Sequence, residues 1–352
     1  MRIKKIDKNF FSIFDTETGF YIRSGLFVNG KETEEDPFMA SYPELLDVGI
    51  MQTCVCATKC NVDCYQKAID RKGSNMSLEN FESILKQSEG KLFQIALGGA
   101  GDPDTHENFE DILKLCRKYN IVPNFTTSGI AFTKEKAELC KKYCGAVAVS
   151  EHNAPYTEKA IDLLLDAGVK TNIHYVLSNK SIDDAITRLK TDGFHKGINA
   201  VVFLLYKPVG LGKEENMLTA DNPKVKEFFE IIGGNTYSCK VGFDSCSCPG
   251  IVNFSSNVNL MSIDFCEGGR YSAYIDADMN MMPCSFANQN PEWFSSLKEH
   301  TIQEVWNNDI FDKFRYSLKN SCTSCSKKAF CAGGCPLMRN IVLCNNKEKH
   351  QV

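Results

Sequence analysis

The sequence predicts an α/β fold: an incomplete parallel (β/α)6 barrel followed by a cysteine-rich, mostly irregular C-terminal domain. Three observations carry that expectation. Six apolar runs alternate with helix-patterned segments between about residues 45 and 206, regular periodicity fades beyond about residue 235, and the 17 cysteines fall in groups rather than evenly. Continuous apolar runs suit parallel strands covered on both faces or closed into a barrel. A segment with little periodicity struggles to bury a core of its own, and bound metal is the obvious staple.

The strand candidates are Leu45–Met51, Leu92–Leu97, Ile121–Thr126, Gly145–Ser150, Val169–Leu177 and Ile198–Tyr206. The first helix follows Ser77, a good N-cap, and places Leu78, Phe81, Ile84 and Leu85 on one face. A second spans about Asp104 to Tyr119, a third follows the cap Thr133, a fourth covers Tyr156–Asp166, and a fifth begins near Ser181. In such architectures ligands bind at the carboxyl ends of the strands. Ahead of the barrel, Phe10–Phe14 and Phe20–Ser24 read as a β-hairpin across residues 15–19, with another turn at Asn29-Gly30. The expected units are therefore an N-terminal hairpin extension (1–44), a barrel (45–235) and a C-terminal domain (236–352).

Charge and composition exclude several classes. A net charge of −4 gives no basic field, so nucleic acid is not an expected partner. The longest apolar run, Ala200–Tyr206, is too short to cross a bilayer, so no membrane is expected. The opening Met1-Arg-Ile-Lys-Lys leads into polar and aromatic residues rather than a signal-type apolar region, which predicts a cytoplasmic chain. In a reducing compartment, clustered cysteines more often bind metal than pair. With only six histidines the sites would be all-thiolate, iron–sulfur first and four-cysteine zinc second.

The first group, Cys54, Cys56, Cys60 and Cys64, follows directly on the first strand. Three thiolates on so short a loop can hold three irons of a [4Fe–4S] cube and leave the fourth for an amine-and-carboxylate ligand. A zinc knuckle using all four is the alternative. Later strands end in Gly98-Gly99-Ala100-Gly101-Asp102-Pro103, in Thr126-Thr127-Ser128-Gly129 and in Ser150-Glu151-His152-Asn153, small or hydrogen-bonding residues suited to a nucleoside-sized ligand. Cys116, Cys140 and Cys144 lie on helical faces and read as small core hydrophobes, and Cys239 as structural. The last group, Cys322-x2-Cys325-x5-Cys331-x3-Cys335, is joined by Cys246, Cys248, Cys266, Cys284 and Cys344. His152 and His174 read as core or rim residues. Lys207-Pro208-Val209-Gly210 reads as a loop that could equally line the nucleoside side, and Asp276 and Asp278 precede Cys284.

These motifs resemble the radical S-adenosylmethionine enzymes that carry a C-terminal SPASM-type extension, over roughly residues 45–345. The resemblance implies a cluster held by the first cysteine loop, with Cys60 and Cys64 as ligands and either Cys54 or Cys56 as the third. It implies that Gly98, Gly99, Asp102 and Pro103 hold the methionine amino group, and that Ser128 and Ser150 line the cofactor site, Ser150 toward the ribose. Here the loop reads C-x3-C-x3-C or C-x5-C-x3-C, where the family has C-x3-C-x2-C, and Tyr65 follows the last cysteine. Asp102 stands offset from the family's Glu, and Met279 occupies a position where the family usually has Gly. The extension implies two auxiliary clusters. One would use Cys266, Cys284, Cys335 and either Cys246 or Cys248; the other would use Cys322, Cys325, Cys331 and Cys344.

Three [4Fe–4S] clusters and S-adenosylmethionine are thus the implied cofactors. One-electron cleavage of the sulfonium would give a 5′-deoxyadenosyl radical that abstracts hydrogen from a peptide or protein substrate. The implied task is a thioether or carbon–carbon cross-link in a ribosomally made precursor peptide, with flavodoxin or ferredoxin as reductant. An anaerobic sulfatase-maturating activity is the enzymatic alternative. A zinc- or iron–sulfur-stapled binding or electron-carrier protein is the alternative of another class. The Phe10–Ser24 hairpin is shorter than a winged-helix leader-binding module and reads as a cap on the barrel.

Overall fold

The computed structural model describes residues 1–345 except 8–9, 26, 29–30, 33–37, 61, 153, 235 and 323–324. The turn expected at Asn29-Gly30 and the strand-end residue Asn153 lie outside the described residues. Strands β1 (Arg2–Ile6), β2 (Phe10–Asp15) and β3 (Tyr21–Gly25) form an antiparallel sheet, so the expected hairpin gains a third strand, and β4 (Phe27–Val28) pairs with β5 (Lys31–Glu32). The barrel strands are β6 (Leu45–Met51), β7 (Gln94–Gly99), β8 (Val122–Thr127), β9 (Val147–Ser150), β10 (Thr171–Leu177) and β11 (Ala200–Leu205). Helices α1 (Leu78–Ser88), α2 (Phe109–Lys118), α3 (Lys134–Tyr143), α4 (Tyr156–Asp166), α5 (Ile182–Thr191) and α6 (Pro223–Ile232) follow them in alternation. Ser77 Oγ accepts from the Asn80 amide at 3.2 Å and Thr133 Oγ1 from Lys136 at 3.4 Å, the caps that the sequence announces.

Beyond residue 235 the chain returns to the same sheet on both sides. Strand β12 (Lys240–Phe243) pairs parallel with β11, and β13 (Ser272–Ile275) pairs parallel with β6, continuing into β14 (Asn280–Met282) and β15 (Ser295–Ser296). The sheet order is β12-β11-β10-β9-β8-β7-β6-β13-β14-β15. Among the described residues four further helices complete this part: α7 (Cys248–Phe254), α8 (Ile302–Trp306), α9 (Asp309–Asn320) and α10 (Lys328–Cys331).

Alternation along the strands separates two faces. Leu46, Val48, Ile50, Ile95, Leu97, Val149, Ile173 and Val201 join the helices in one continuous core. The opposite face is polar. There Asn124 donates to Gln94 at 3.1 Å, Thr126 meets His174 at 3.2 Å, and Asn199 donates to Asn172 at 2.8 Å. A sheet with one greasy and one hydrogen-bonding face is covered by helices outside and open to polar ligands inside.

The N-terminal sheet packs at the amino ends of the barrel strands. Phe14 is buried against Phe93 and Val122, which lie at the entries to β7 and β8, and Phe10 is buried against Ala40 and Tyr271. The carboxyl ends stay clear of it.

Candidate active site

The first cysteine loop leaves β6 at Met51, where the pairing with β7 shifts register between Gly49 and Met51. The glycines of the next strand end admit it. A Cβ at Gly99, whose φ is +120°, would lie 2.4 Å from the Met51 carbonyl oxygen, and one at Gly101 would lie 2.4 Å from that of Thr53 and 3.0 Å from Cys54 Cα. Their smallness therefore serves the backbone of the cysteine loop. Gly98 has no atom within 4 Å of its missing Cβ.

Within the loop the four thiols divide. Cys54 lies within electrostatic reach of Asp102, Cys60 and Cys64, and burial raises its pKa. Cys56 is turned toward Asp102, Asp104 and Cys54, and burial pushes its thiol up to about 12. Cys60 Sγ is 3.9 Å from His152 Nε2, while His152 Nδ1 is buried with no hydrogen-bond partner. Burial holds this imidazole neutral, its pKa pushed down to about 4. Asp102 accepts from the Ser128 amide at 2.9 Å and from its hydroxyl at 2.5 Å; burial, then Asp104, lifts its carboxyl to about 6 against those bonds. Pro103 is buried in a turn of 3-10 helix. The Ser150 carbonyl accepts from Thr157 at 2.9 Å, and Ser150 pairs with His174 across β9 and β10.

The loop's far end is locked by two other segments. The Leu211 amide donates to the Cys64 carbonyl at 3.0 Å, so the Lys207–Gly210 loop embraces Cys64 rather than standing apart. Gln289 donates to the Tyr65 carbonyl at 2.9 Å, and the Tyr65 and Phe286 rings lie 4.7 Å apart. Asp47 sits beneath on the polar face, paired in register with Ala96 and Tyr274.

The remaining thiols form two sets. Cys246 is within hydrogen-bonding reach of Cys335 and interacts with Cys266 and Cys284; that hydrogen bond, then burial, raises Cys246 well above the usual thiol range, and burial does the same to Cys266 and pushes Cys284 up to about 12. Cys331 faces Cys322, Cys325 and Cys344. Cys248 falls with this second set, beside Cys331 and donating to the Phe330 carbonyl at 3.1 Å. Between Cys331 and Cys335 the chain turns so tightly at Gly333 (φ +78°) that a Cβ would lie 2.9 Å from Cys322 Sγ.

Among the described residues no three His, Cys, Asp or Glu side chains close tightly enough to seat a single metal ion. The thiols form three wider sets, and all-thiolate donors are the chemistry of iron–sulfur centres. The orphaned His152 nitrogen beside Cys60, and the desolvation of Cys246, Cys266 and Cys284, fit bound groups at both places. His152 beside a thiol, Asp47, and the buried pair of Lys207 with Asp244 escaped the sequence reading. Asp47 did leave a trace, as the one charge in an otherwise apolar strand.

Comparison with known proteins places this arrangement. Residues 266–327 match the SPASM iron–sulfur cluster-binding domain. The chain is 22% identical over 79% of its length to the tungsten-containing aldehyde ferredoxin oxidoreductase cofactor-modifying protein of Pyrococcus furiosus, covering 86% of that protein. It is 20% identical over 76% of its length to the PqqA peptide cyclase of Gluconobacter oxydans, covering 78% of it. The structure of Streptococcus suis SuiB bound to precursor peptide SuiA superposes with a TM-score of 0.69 at 14% identity, covering 98% of this chain and all of that one. Residues 266–327 thus carry a SPASM-type iron–sulfur cluster-binding domain. With its partial parallel barrel, the chain as a whole is similar to radical S-adenosylmethionine enzymes that bear such a domain. No helix among the described residues is long and apolar enough to cross a membrane.

Proposed function

We propose that the chain cleaves S-adenosylmethionine reductively and cross-links a ribosomally made precursor peptide through a thioether or carbon–carbon bond. One observation carries the reading: at the carboxyl edge of a polar-faced barrel Cys54 interacts with both Cys60 and Cys64, whereas neither of those thiols is among the groups acting on Cys56. This supports Cys54 as the third ligand, with a substrate-like fourth. A [4Fe–4S] cluster with bound adenosylmethionine would supply one-electron sulfonium cleavage and a hydrogen-abstracting adenosyl radical. The chain's own residues orient and exclude. Gly98 leaves open space, Ser128 fixes the Asp102 carboxylate, and His152 Nδ1 offers an unused polar atom.

Cys246, Cys266, Cys284 and Cys335 are proposed to hold one auxiliary cluster and Cys322, Cys325, Cys331 and Cys344 another, three clusters in all. A flavodoxin or ferredoxin would deliver the electron. The likeness to a peptide cyclase, and to a fold that was solved with its precursor peptide, supports a peptide substrate.

The test is anaerobic reconstitution with iron and sulfide, reduction by dithionite, and chromatographic assay of 5′-deoxyadenosine. Cys60→Ala, Cys64→Ala and Cys54→Ala are expected to abolish it and Cys56→Ala to retain it. Undiminished deoxyadenosine from Cys60→Ala would overturn the reading. A short peptide encoded beside this chain should emerge lighter by a pair of hydrogens.

A further inference from the structure

Lys207 stands immediately beyond the end of β11, and its side chain is only 2% exposed. Burying an ammonium is expensive unless it is paired and hydrogen-bonded. This one is both. Nζ donates to the Leu205 carbonyl at 2.9 Å and to Asp244 Oδ2 at 3.0 Å, and it rides 4.4 Å from the centre of the Phe286 ring. Asp244 is pinned in turn, its other oxygen accepting from the Ser247 amide at 3.2 Å and hydroxyl at 2.8 Å. The pair follows from topology: β11 and β12 run parallel, so the residues just past their carboxyl ends meet, and Cys246 comes two residues after Asp244.

The pair sits where the thiol-bearing segments meet. Asp244, which holds the ammonium, precedes Cys246 by two residues, and Phe286, whose ring the ammonium faces, follows Cys284 by two. Lys207 is within electrostatic reach of Cys246, Cys284 and Cys335. The carboxylate is engaged twice over, by Lys207 on one oxygen and by Ser247 on the other.

We propose that Lys207 is the built-in counter-charge of the Cys246, Cys266, Cys284 and Cys335 site, and that its ammonium raises the reduction potential of the cluster held there. The inference rests on the reading of those four thiols as an iron–sulfur site. A fixed cation stabilises the form with one more electron, and charge and hydrogen bonds near cluster sulfurs are the levers by which a protein sets such potentials. A cluster poised upward in this way is suited to accept the electron released when a substrate radical closes into a bond. Lys207 acts here as a positioning and tuning residue. The Phe286 ring that the ammonium faces also touches Tyr65, the residue after Cys64 of the first cysteine loop.

The test is a potentiometric titration of the reconstituted protein, followed by electron paramagnetic resonance, in a Cys60→Ala background that leaves only the auxiliary sites. Lys207→Met should lower one potential and leave the other in place, and Lys207→Arg should restore it. Asp244→Asn should raise the same potential, because the ammonium then stands uncompensated. A merely structural pair would not move one potential in opposite directions. Unchanged potentials, shifts of the same sign, or a shift confined to the other cluster would overturn the proposal. Where Lys207→Met loses the cluster, Asp244→Asn decides: an upward shift supports the assignment and any other result overturns it. The underlying site is tested separately. If Cys284→Ala loses no iron, the four-thiol reading fails, and the role of Lys207 fails with it.

Discussion

A single methyl group at Gly101 decides whether the cysteine loop can be built. Its Cβ would stand 2.4 Å from a carbonyl oxygen and 3.0 Å from Cys54 Cα, and backbone atoms cannot swing aside as a side-chain tip does. Gly98, three residues earlier, would carry the same methyl into open space. Gly101→Ala is therefore expected to lose the iron of the first loop while keeping that of the SPASM region, and Gly98→Ala to keep both. Iron analysis with visible absorption of reconstituted protein checks the pair; equal iron in the two variants would refute the packing argument. The glycine motif thus makes room for the loop's backbone, in addition to the ligand-facing role proposed for it. This packing role was not legible in sequence, because close approach of two backbones leaves no pattern in either segment alone.

Elements were easier to read than contacts. All six barrel strands and the caps of α1 and α3 follow from runs and cap residues that act locally. The returning strands β12 and β13 did not announce themselves. They are four residues each, and their place is set by partners far away in the chain rather than by their own periodicity. The turn between β13 and β14 shows how such an element is held. Met279, where the resembling family usually has Gly, adopts φ +70° yet is buried to 3% exposure. A left-handed non-glycine residue costs about 1–2 kcal/mol, whereas removing a buried methionine side chain costs about 2–5 kcal/mol. Packing wins. Met279→Gly is expected to destabilise by about 1–3 kcal/mol, read as a lower urea midpoint, and a stabilised variant would show that backbone strain dominates there.

Across the whole molecule, chemistry and closure occupy opposite ends of one barrel. The carboxyl ends carry the thiols, and the amino ends are covered by the β1–β3 sheet, tied to the C-terminal region by ions as well as by packing. Arg23 bonds Glu44 at 3.0 Å and Asp264 at 3.3 Å, Arg270 bonds Asp264 at 3.0 Å, and Ser12 donates to Glu44 at 2.7 Å. Arg23 also stacks on the Tyr271 ring, 3.1 Å from its centre. Removing Arg23 leaves the buried Glu44 without its cation, while Asp264 keeps Arg270, and a broken buried pair typically costs about 3–5 kcal/mol. The partial exposure of Asp264 trims that figure, so Arg23→Ala is expected to lose about 2–3 kcal/mol. Because the network lies at the amino ends, deoxyadenosine yield per folded molecule should not change. Denaturant titration and the dithionite assay on the same preparation separate the two. A variant that kept full stability but lost cleavage would show that the amino-end sheet reaches the chemistry at the other end of the strands.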